Sequence, residues 1–376
     1  MGGKDKIRGQ EELQRVVLNR NLCTGCGACI NLCPYFKSYR GNTTILFPCT
    51  LVQGRCFAYC PKVEVDLDDL SQKFFGRPYN CDPLGPYQTI MISRAGKKIK
   101  RAGFQAGGTV SAIIYFALRK GYVDGAVLTD RDGLLPVPRF VTNPEDVFTC
   151  VSSKYSAAPT LSALNQGIRD GFKQIGIVAT PCQVLATVLM RSNPLEDLNF
   201  VDPTGLVVGL FCTWALDFRG FEGYLSERID TERIAKIDIP PPPAEAMEVY
   251  MEKGRKIEIP LDEIRQLVPD GCSYCIDMTA EFSDISVGAL EGYPDMNTLI
   301  IRTERGRKIV HEARKEGYLI VSDIPKVNLE HLKWAAGNKK RRALTKVKQE
   351  RIVNTLEEDK ASYLRLNTAT LEGITA

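Results

Sequence analysis

Residues 107–129 read GGTVSAIIYFALRKGYVDGAVLT, and this stretch sets the class of fold. Val110, Ile113, Ile114 and Ala117 recur at helical spacing, with Gly107-Gly108 at the entry and Gly121 at the exit, and DGAVLT follows as a short buried strand. The unit then recurs. APTLSALNQGIRDG reads as helix, IGIVAT as strand, CQVLATVLMR as helix, GLVVGLFC as strand and FEGYLSERI as helix. Strands alternating with helices of this length predict an α/β core with a mainly parallel sheet and some mixed α+β elements. IPPPPAE at 239–245 interrupts the series as a stiff connection ahead of an exposed strand pair, MEVYMEK and RKIEIPL.

Upstream the texture is different. Cys23, Cys26, Cys29 and Cys33 stand in CTGCGACINLCP at C-x2-C-x2-C-x3-C before Pro34, the run that wraps three thiolates around one iron–sulfur cube and sends the fourth to another. The alternative is zinc, but zinc takes about four ligands in paired C-x2-C or Cys/His sets, and the chain's two histidines, His311 and His331, are remote in sequence. A second run, PCTLVQGRCFAYCP at 48–61, resembles the other half of a bacterial ferredoxin but lacks one cysteine. If Cys23, Cys26, Cys29 and Cys60 hold one cluster, the other has Cys33, Cys49 and Cys56 and needs a further ligand. Cys81 in PYNCDPLGPY is the nearby candidate; a three-iron cluster, a non-cysteine ligand, or Cys81 as an inert loop thiol are the alternatives.

The 376 residues allow two or three domains, and 25% charged with 44% hydrophobic residues is ordinary for a globular protein. Residues 1–85 read as a ferredoxin-like iron–sulfur domain closed by a Pro/Gly linker, 86–326 as the α/β core and 327–376 as a charged helical tail. A net charge of +4 gives no argument for nucleic acid, and NKKRR in the tail reads as a solvated or partner-docking helix face. GLVVGLFCTWAL is too short for a membrane span, which needs about 20 residues. No secretory signal is visible, so the 13 cysteines point to metal in a reducing cytoplasm, not to disulfides.

Four cysteines lie in the core. Cys182 and Cys212 each sit just beyond a predicted strand's C-terminal end, where open α/β sheets place ligands, and Cys272 and Cys275 form a C-x2-C. They close a third set of four thiolates or, alternatively, are two core cysteines and a separate zinc or redox pair. Cys150 is left over as a buried structural thiol.

From about residue 86 to 345 the sequence resembles the beta subunit family of coenzyme F420-reducing hydrogenases and dehydrogenases. The resemblance rests on the order of FQAGGTVSAIIYFALRKGYVDGAVL, SSKYSAAP, GIVATPCQ, GLFC, GCSYCIDMTAEFSDISVG and NTLIIRTERGRKI. It implies that Cys182, Cys212, Cys272 and Cys275 ligate one [4Fe–4S] cluster beside a bound FAD, giving two to three clusters in all. It also implies an oxidoreductase subunit that works beside a hydrogenase, formate dehydrogenase or heterodisulfide reductase subunit, or with a ferredoxin, and that has coenzyme F420 as co-substrate.

A flavin suits this setting, because clusters pass single electrons while deazaflavins and nicotinamides take two. No hydrolase-type catalytic side chains are expected, and G-x-S-x-G, H-E-x-x-H, the Walker loop and G-x-G-x-x-G are all absent. Ser93, Arg94, Gln105 and Gly107-Gly108-Thr109 offer bare N–H groups and positive charge to a pyrophosphate; helix–sheet packing is the other reading of the glycines. By resemblance these residues, Lys154-Tyr155, and Asp284, Ser286 and Gly288 approach the FAD. The segment CTWALDF, with Trp214 and Ala215, departs from the polar residues of the F420-reducing subunit and leaves NAD(P) or another acceptor as an alternative. A flavin-free polyferredoxin wire is the competing class, and sensing through the basic tail a weaker one.

Overall fold

The structure is a computed structural model that describes residues 7–80, 82–100, 103–241, 244–355 and 363–375. Eight strands form the main sheet: β1 Thr89–Ala95, β2 Gly125–Asp132, β3 Leu135–Val141, β4 Ile175–Ala179, β5 Thr204–Leu210, β6 Ile285–Ala289, β7 Asn297–Ile301 and β8 Leu319–Asp323. Their spatial order is β8-β1-β7-β6-β5-β4-β2-β3. The expected parallel pairing holds at the centre, where β2, β4, β5 and β6 run in one direction. Both flanks are antiparallel, so the sheet is mixed. Tight connections such as Asp132 to Leu135 leave no room for the crossover that a parallel pair needs.

Side chains alternate across the sheet as the strand period requires. Ala126, Leu128, Leu206 and Val208 face one core with helices α1 (Thr109–Arg119) and α5 (Glu304–Lys315). Val127, Val207, Ile175 and Ile177 face another with α2 (Leu161–Arg169) and α3 (Pro181–Arg191). Helix α1 begins at Gly108, φ +74°, where a Cβ would lie 2.6 Å from the Phe104 ring, and at Gly107 a Cβ would lie 2.9 Å from the Ser93 carbonyl. Close packing therefore leaves no room for a side chain at either glycine.

The strand pair Ala246–Met251 and Lys256–Pro260 joins Ile234–Asp238 in a small antiparallel sheet. It is not exposed as expected. Met247, Val249 and Ile259 are buried against Leu216, Phe221 and Leu225, the last two on α4 (Phe218–Ser226), because alternate residues of a strand point to one side.

The N-terminal module packs directly onto the core. Leu161 N–H donates to the Cys26 carbonyl (3.2 Å), and Asn165 Nδ2 donates to the carbonyls of Ala28 (3.0 Å) and Ile30 (2.7 Å). Val65-Asp66 pairs with Leu364-Arg365, which pairs with Val353-Asn354, so the module and the tail share a sheet. The segment before β1, expected as a linker, is clamped instead: Leu84 is fully buried and its carbonyl accepts from Arg302 Nη1 (2.8 Å).

The tail helix α6, Lys326–Gln349, forms as expected, but its basic cluster is divided: Arg341 and Arg342 are exposed, whereas Lys339 and Lys340 are not. Ala336, Lys339, Lys340, Ala343, Leu344 and Val347 are its buried residues. The two lysines thus occupy the apolar stripe of the helix and carry their charges into the interior. No helix among the described residues is long and apolar enough to cross a membrane.

Candidate functional site

At the C-terminal ends of the parallel strands lies a cavity of about 580 Å³, a volume typical of cofactor sites. Cys182, Cys212, Cys272 and Cys275 line it together. Each arrives by a different local device. Cys182 occupies the first turn of α3, where Pro181 opens the helix and Thr180 N–H donates to Gln183 Oε1 (2.9 Å) in a capping box. Gln183 Nε2 in turn donates to the Ala158 carbonyl (2.9 Å), which fixes the turn against the strand of chain before α2. Cys212 leaves β5 with its N–H on the Met278 carbonyl (2.9 Å). Cys272 and Cys275 bracket the end of a short helix, Asp270–Ser273, whose Gly271 has no room for a side chain: a Cβ there would lie 2.4 Å from the Leu22 carbonyl.

The N-terminal thiols are just as crowded. Burial pushes the Cys26 thiol well up, and the sulfurs of Cys182, Cys60 and Cys29 add to it. Cys29 is raised by burial and then by Cys23, Cys60 and Cys56, and Cys60 is pushed up to about 12 by burial, with Cys23 as a neighbour. Cys56 is pushed up to about 11 by burial, with Cys33 and Cys49 beside it. These neighbourhoods sort the sulfurs into Cys33, Cys49 and Cys56, then Cys23, Cys26, Cys29 and Cys60, then Cys182, Cys212, Cys272 and Cys275. Successive sets lie within electrostatic reach of each other, Cys56 acting on Cys29 and Cys182 on Cys26. Cys81 lies outside the described residues.

Desolvated thiols crowded in this way resist ionising alone, and a cluster's positive iron compensates them. Backbone N–H groups point at the sulfurs as well, as Gly25 does at Cys23 Sγ (3.4 Å). Among the described residues no three His, Cys, Asp or Glu side chains gather tightly enough for a single ion. The C-x2-C-x2-C-x3-C spacing and the crowding of the thiols are what fit the donor set to polynuclear clusters.

Of the other residues singled out in the sequence, Gln105, Gly108, Thr109, Lys154, Tyr155 and Gly288 line the same cavity. Ser93 stands behind the wall, its hydroxyl 2.8 Å from Thr109 Oγ1, while Gly107 is buried and accepts the Ala95 N–H (2.7 Å). Arg94 is exposed on β1. Asp284 and Ser286 lie elsewhere. The Asp284 carboxylate accepts Val207 N–H (2.9 Å) and the Thr303 hydroxyl (2.6 Å), and Ser286 bonds Arg302 Nε (2.7 Å), so both are committed to tying β5, β6 and α5 together. Cys150 is half-buried, packing against the hydrophobic core and also lining the cavity.

The sequence and the fold are similar to those of known proteins. Residues 90–165 match the family model "Coenzyme F420 hydrogenase/dehydrogenase, beta subunit N-term", and 172–327 match the companion model for the C terminus of the same coenzyme F420 hydrogenase/dehydrogenase beta subunit, together more than half of the chain. The chain belongs to this beta subunit family. Residues 16–35 also match a 4Fe-4S binding domain, so this is an iron–sulfur electron-transfer member of an oxidoreductase family. The chain is 32% identical to a coenzyme F420 hydrogenase subunit beta of Methanococcus voltae, over 65% of this chain and 88% of that one. It is 29% identical to a coenzyme F420-dependent sulfite reductase of Methanocaldococcus jannaschii, over 84% of this chain but only 48% of that protein's length. In fold it is similar to a chain of the F420-reducing [NiFe] hydrogenase complex from Methanosarcina barkeri, with a TM-score of 0.66 at 24% identity, covering 71% of this chain and 93% of that one.

A flavin fits the cavity of this family member on two grounds. The volume is adequate, and the buried hydroxyls of Thr24 and Ser156, both on its lining, have no hydrogen-bond partner among the described residues. Tyr155 lines it with its hydroxyl between Ile239 N–H (2.8 Å) and Asp238 (3.3 Å), its ionisation suppressed by burial first and by Asp238 next. Lys154 Nζ donates to the carbonyls of Cys150 (2.9 Å), Val151 (2.9 Å) and Ser152 (3.1 Å), and burial pulls its pKa down to about 8.

Sequence reasoning missed two lysines. Lys62 Nζ is buried and donates to the Gly271 carbonyl (2.8 Å) and Tyr363 hydroxyl (3.3 Å), and Lys339 Nζ donates to the carbonyls of Cys212 and Asp277 (2.7 Å each). The signal for Lys62 is its place directly after Cys60-Pro61; for Lys339 it is the helical stripe described above.

Proposed function

We propose that the chain carries electrons between a partner redox enzyme or ferredoxin and coenzyme F420, by way of cysteine-bound [4Fe–4S] clusters and an FAD in the 580 Å³ cavity. The observation that carries this reading is the continuous run of sulfurs from Cys33, Cys49 and Cys56 inward to a set of four on the cavity wall. In it Cys81 completes the outermost set. A flavin would supply the junction between one-electron clusters and a two-electron hydride acceptor. Gln105, Gly108, Thr109, Lys154, Tyr155 and Gly288 would hold and orient it, with Thr24 and Ser156 hydroxyls free to meet its polar edge. In this reading the partner is of the hydrogenase, formate dehydrogenase or heterodisulfide reductase type.

A second reading has a specific observation in its favour. Trp214 and Ala215 both line the cavity, and in this reading, where an apolar wall replaces polar residues, NAD(P) takes the place of F420 as acceptor.

Flavin and iron stoichiometry of the anaerobically purified chain is the test. FAD with about twelve irons, four for each of three cubes, supports the reading, and about eleven favours a three-iron outer site. Iron without flavin, even after reconstitution with FAD, would leave only a wire. Single-turnover reduction of F420 against NAD(P) by the reduced protein separates the two acceptors.

A further inference from the structure

Lys62 and Lys339 are both buried, and the acceptors of their ammonium groups are neutral: two carbonyls for Lys339, a carbonyl and a phenol for Lys62. Lys340, next in sequence, differs in having the Glu281 carboxylate 2.7 Å away. A buried charge held only by neutral dipoles is costly unless an opposite charge stands near. The groups of negative charge that act on them include the sulfurs of one set. Lys339 faces Cys275, Cys212 and Cys272, with the Asp277 carboxylate among them, and Lys62 faces Cys275, Cys272 and Cys182. Both cations thus act on one set of four thiols, Lys339 bonded to the Cys212 carbonyl and Lys62 to the Gly271 carbonyl beside Cys272. Lys62 holds a second position as well, because its backbone N–H points at Cys60, a ligand of the neighbouring set.

We infer that Lys62 and Lys339 are potential-setting residues, which hold two fixed positive charges against the cluster site of Cys182, Cys212, Cys272 and Cys275 and raise its reduction potential. Reduction adds one negative charge to a cluster, and a nearby cation stabilises the reduced form more than the oxidised one. Net charge, hydrogen bonding and burial are the levers a protein has over such a site, and these lysines supply charge in a place that water does not screen. A set so biased draws electrons inward from the N-terminal sets toward the cavity. This inference rests on the cluster assignment made above.

The test is a potentiometric titration, followed by electron paramagnetic resonance, of the full chain purified anaerobically as wild type, K62Q, K339Q, K62R and K339R. Glutamine keeps N–H donors for the carbonyls without the charge, and arginine keeps the charge. Each Gln variant is expected to shift the cluster of Cys182, Cys212, Cys272 and Cys275 to lower potential by at least tenfold in its reduction equilibrium, about 59 mV for one electron, with iron content unchanged; K339Q leaves the other signals still, while K62Q, whose charge also acts on Cys60, moves the neighbouring signal in the same direction. The Arg variants are expected to titrate like wild type. Unchanged midpoints in both Gln variants at full iron content would overturn the proposal. Loss of iron from Arg and Gln variants alike would also overturn it, since the lysines would then be space-filling supports. A wild-type chain without the third cluster signal, or a C182S chain with undiminished iron, would instead remove the cluster assignment beneath it.

Discussion

The ammonium of Lys340 on α6 stands 2.7 Å from the carboxylate of Glu281, and neither side chain is more than 2% exposed. Tyr79 completes the group, donating to Glu281 (2.9 Å) and accepting from Lys340 (2.9 Å). The C-terminal helix is therefore bolted to the segment behind the Cys272–Cys275 loop and to the chain that leaves the N-terminal module. Removing one partner of a buried pair strands the other charge, at a cost of about 3–5 kcal/mol. K340M is expected to lower the denaturation midpoint accordingly, whereas K340M/E281Q, which removes both charges, loses less than K340M alone. A K340M chain within about 1 kcal/mol of wild type would show that the pair is not the bolt.

The contact between the module and the core turns on a glycine. Gly27 has φ +84°, and a Cβ there would come within 2.4 Å of the Pro159 carbonyl. Both the backbone conformation and the space forbid a side chain. G27A is expected to separate the Cys26 loop from α2, which shows as lost iron and as new proteolytic cleavage near residue 27. An intact, fully loaded G27A chain would mean that the interface gives way easily.

Lys154 makes stability depend on alkaline pH. Its folded pKa is held near 8, below the usual lysine value, so between about pH 8 and 10.5 the unfolded chain binds more protons than the folded one. Stability then rises with pH across that window. The shift corresponds to an increment on the order of 3 kcal/mol before the three carbonyl bonds to its ammonium are allowed for, and these reduce it. Denaturation midpoints at pH 7.5 and 9.5 are expected to differ in this sense for wild type and not for K154M. An identical pH response in the two chains would place the titration elsewhere.

Much of this was legible in the residues, for physical reasons that differ by element. The helix at Thr109–Arg119 and the strand at Gly125–Asp132 announce themselves because burial imposes its period on the sequence. Within the run from Cys23 to Cys33 and in the pair Cys272–Cys275, cysteine spacing told which sulfurs share a neighbourhood, since short loops hold them together; the grouping of Cys182 and Cys212 with that pair came from the family resemblance, because the three segments are far apart in sequence. The antiparallel flanks were not legible, because a strand's own sequence carries little sign of its neighbour's direction. Val65-Asp66 was missed for a related reason: two residues form a strand only because Leu364-Arg365 arrives from the other end of the chain. Lys339 and Lys340 misled because charge ordinarily marks the solvent face of a helix. Their spacing with Ala336, Ala343 and Val347 put them on the buried stripe, and position outranked residue type.

Two cysteines that face the same cavity separate ligand from bystander. Cys182 belongs to the set of four and adjoins Cys26, whereas Cys150 is raised by burial and has a threonine hydroxyl, from Thr149, and no other thiol among its influences. C182S is expected to lose one cluster, about four irons per chain, together with one paramagnetic signal, and C150S to keep both. The same cut at C182S removes the step between the N-terminal sets and the cavity. Electrons supplied at the N-terminal module of C182S should therefore still reduce its own clusters but reach the cavity far more slowly, which rapid-freeze spectroscopy reads separately from iron content. Equal iron in C182S and C150S would make Cys182 a core thiol and break the line of sulfurs at the place where the two halves of the molecule meet.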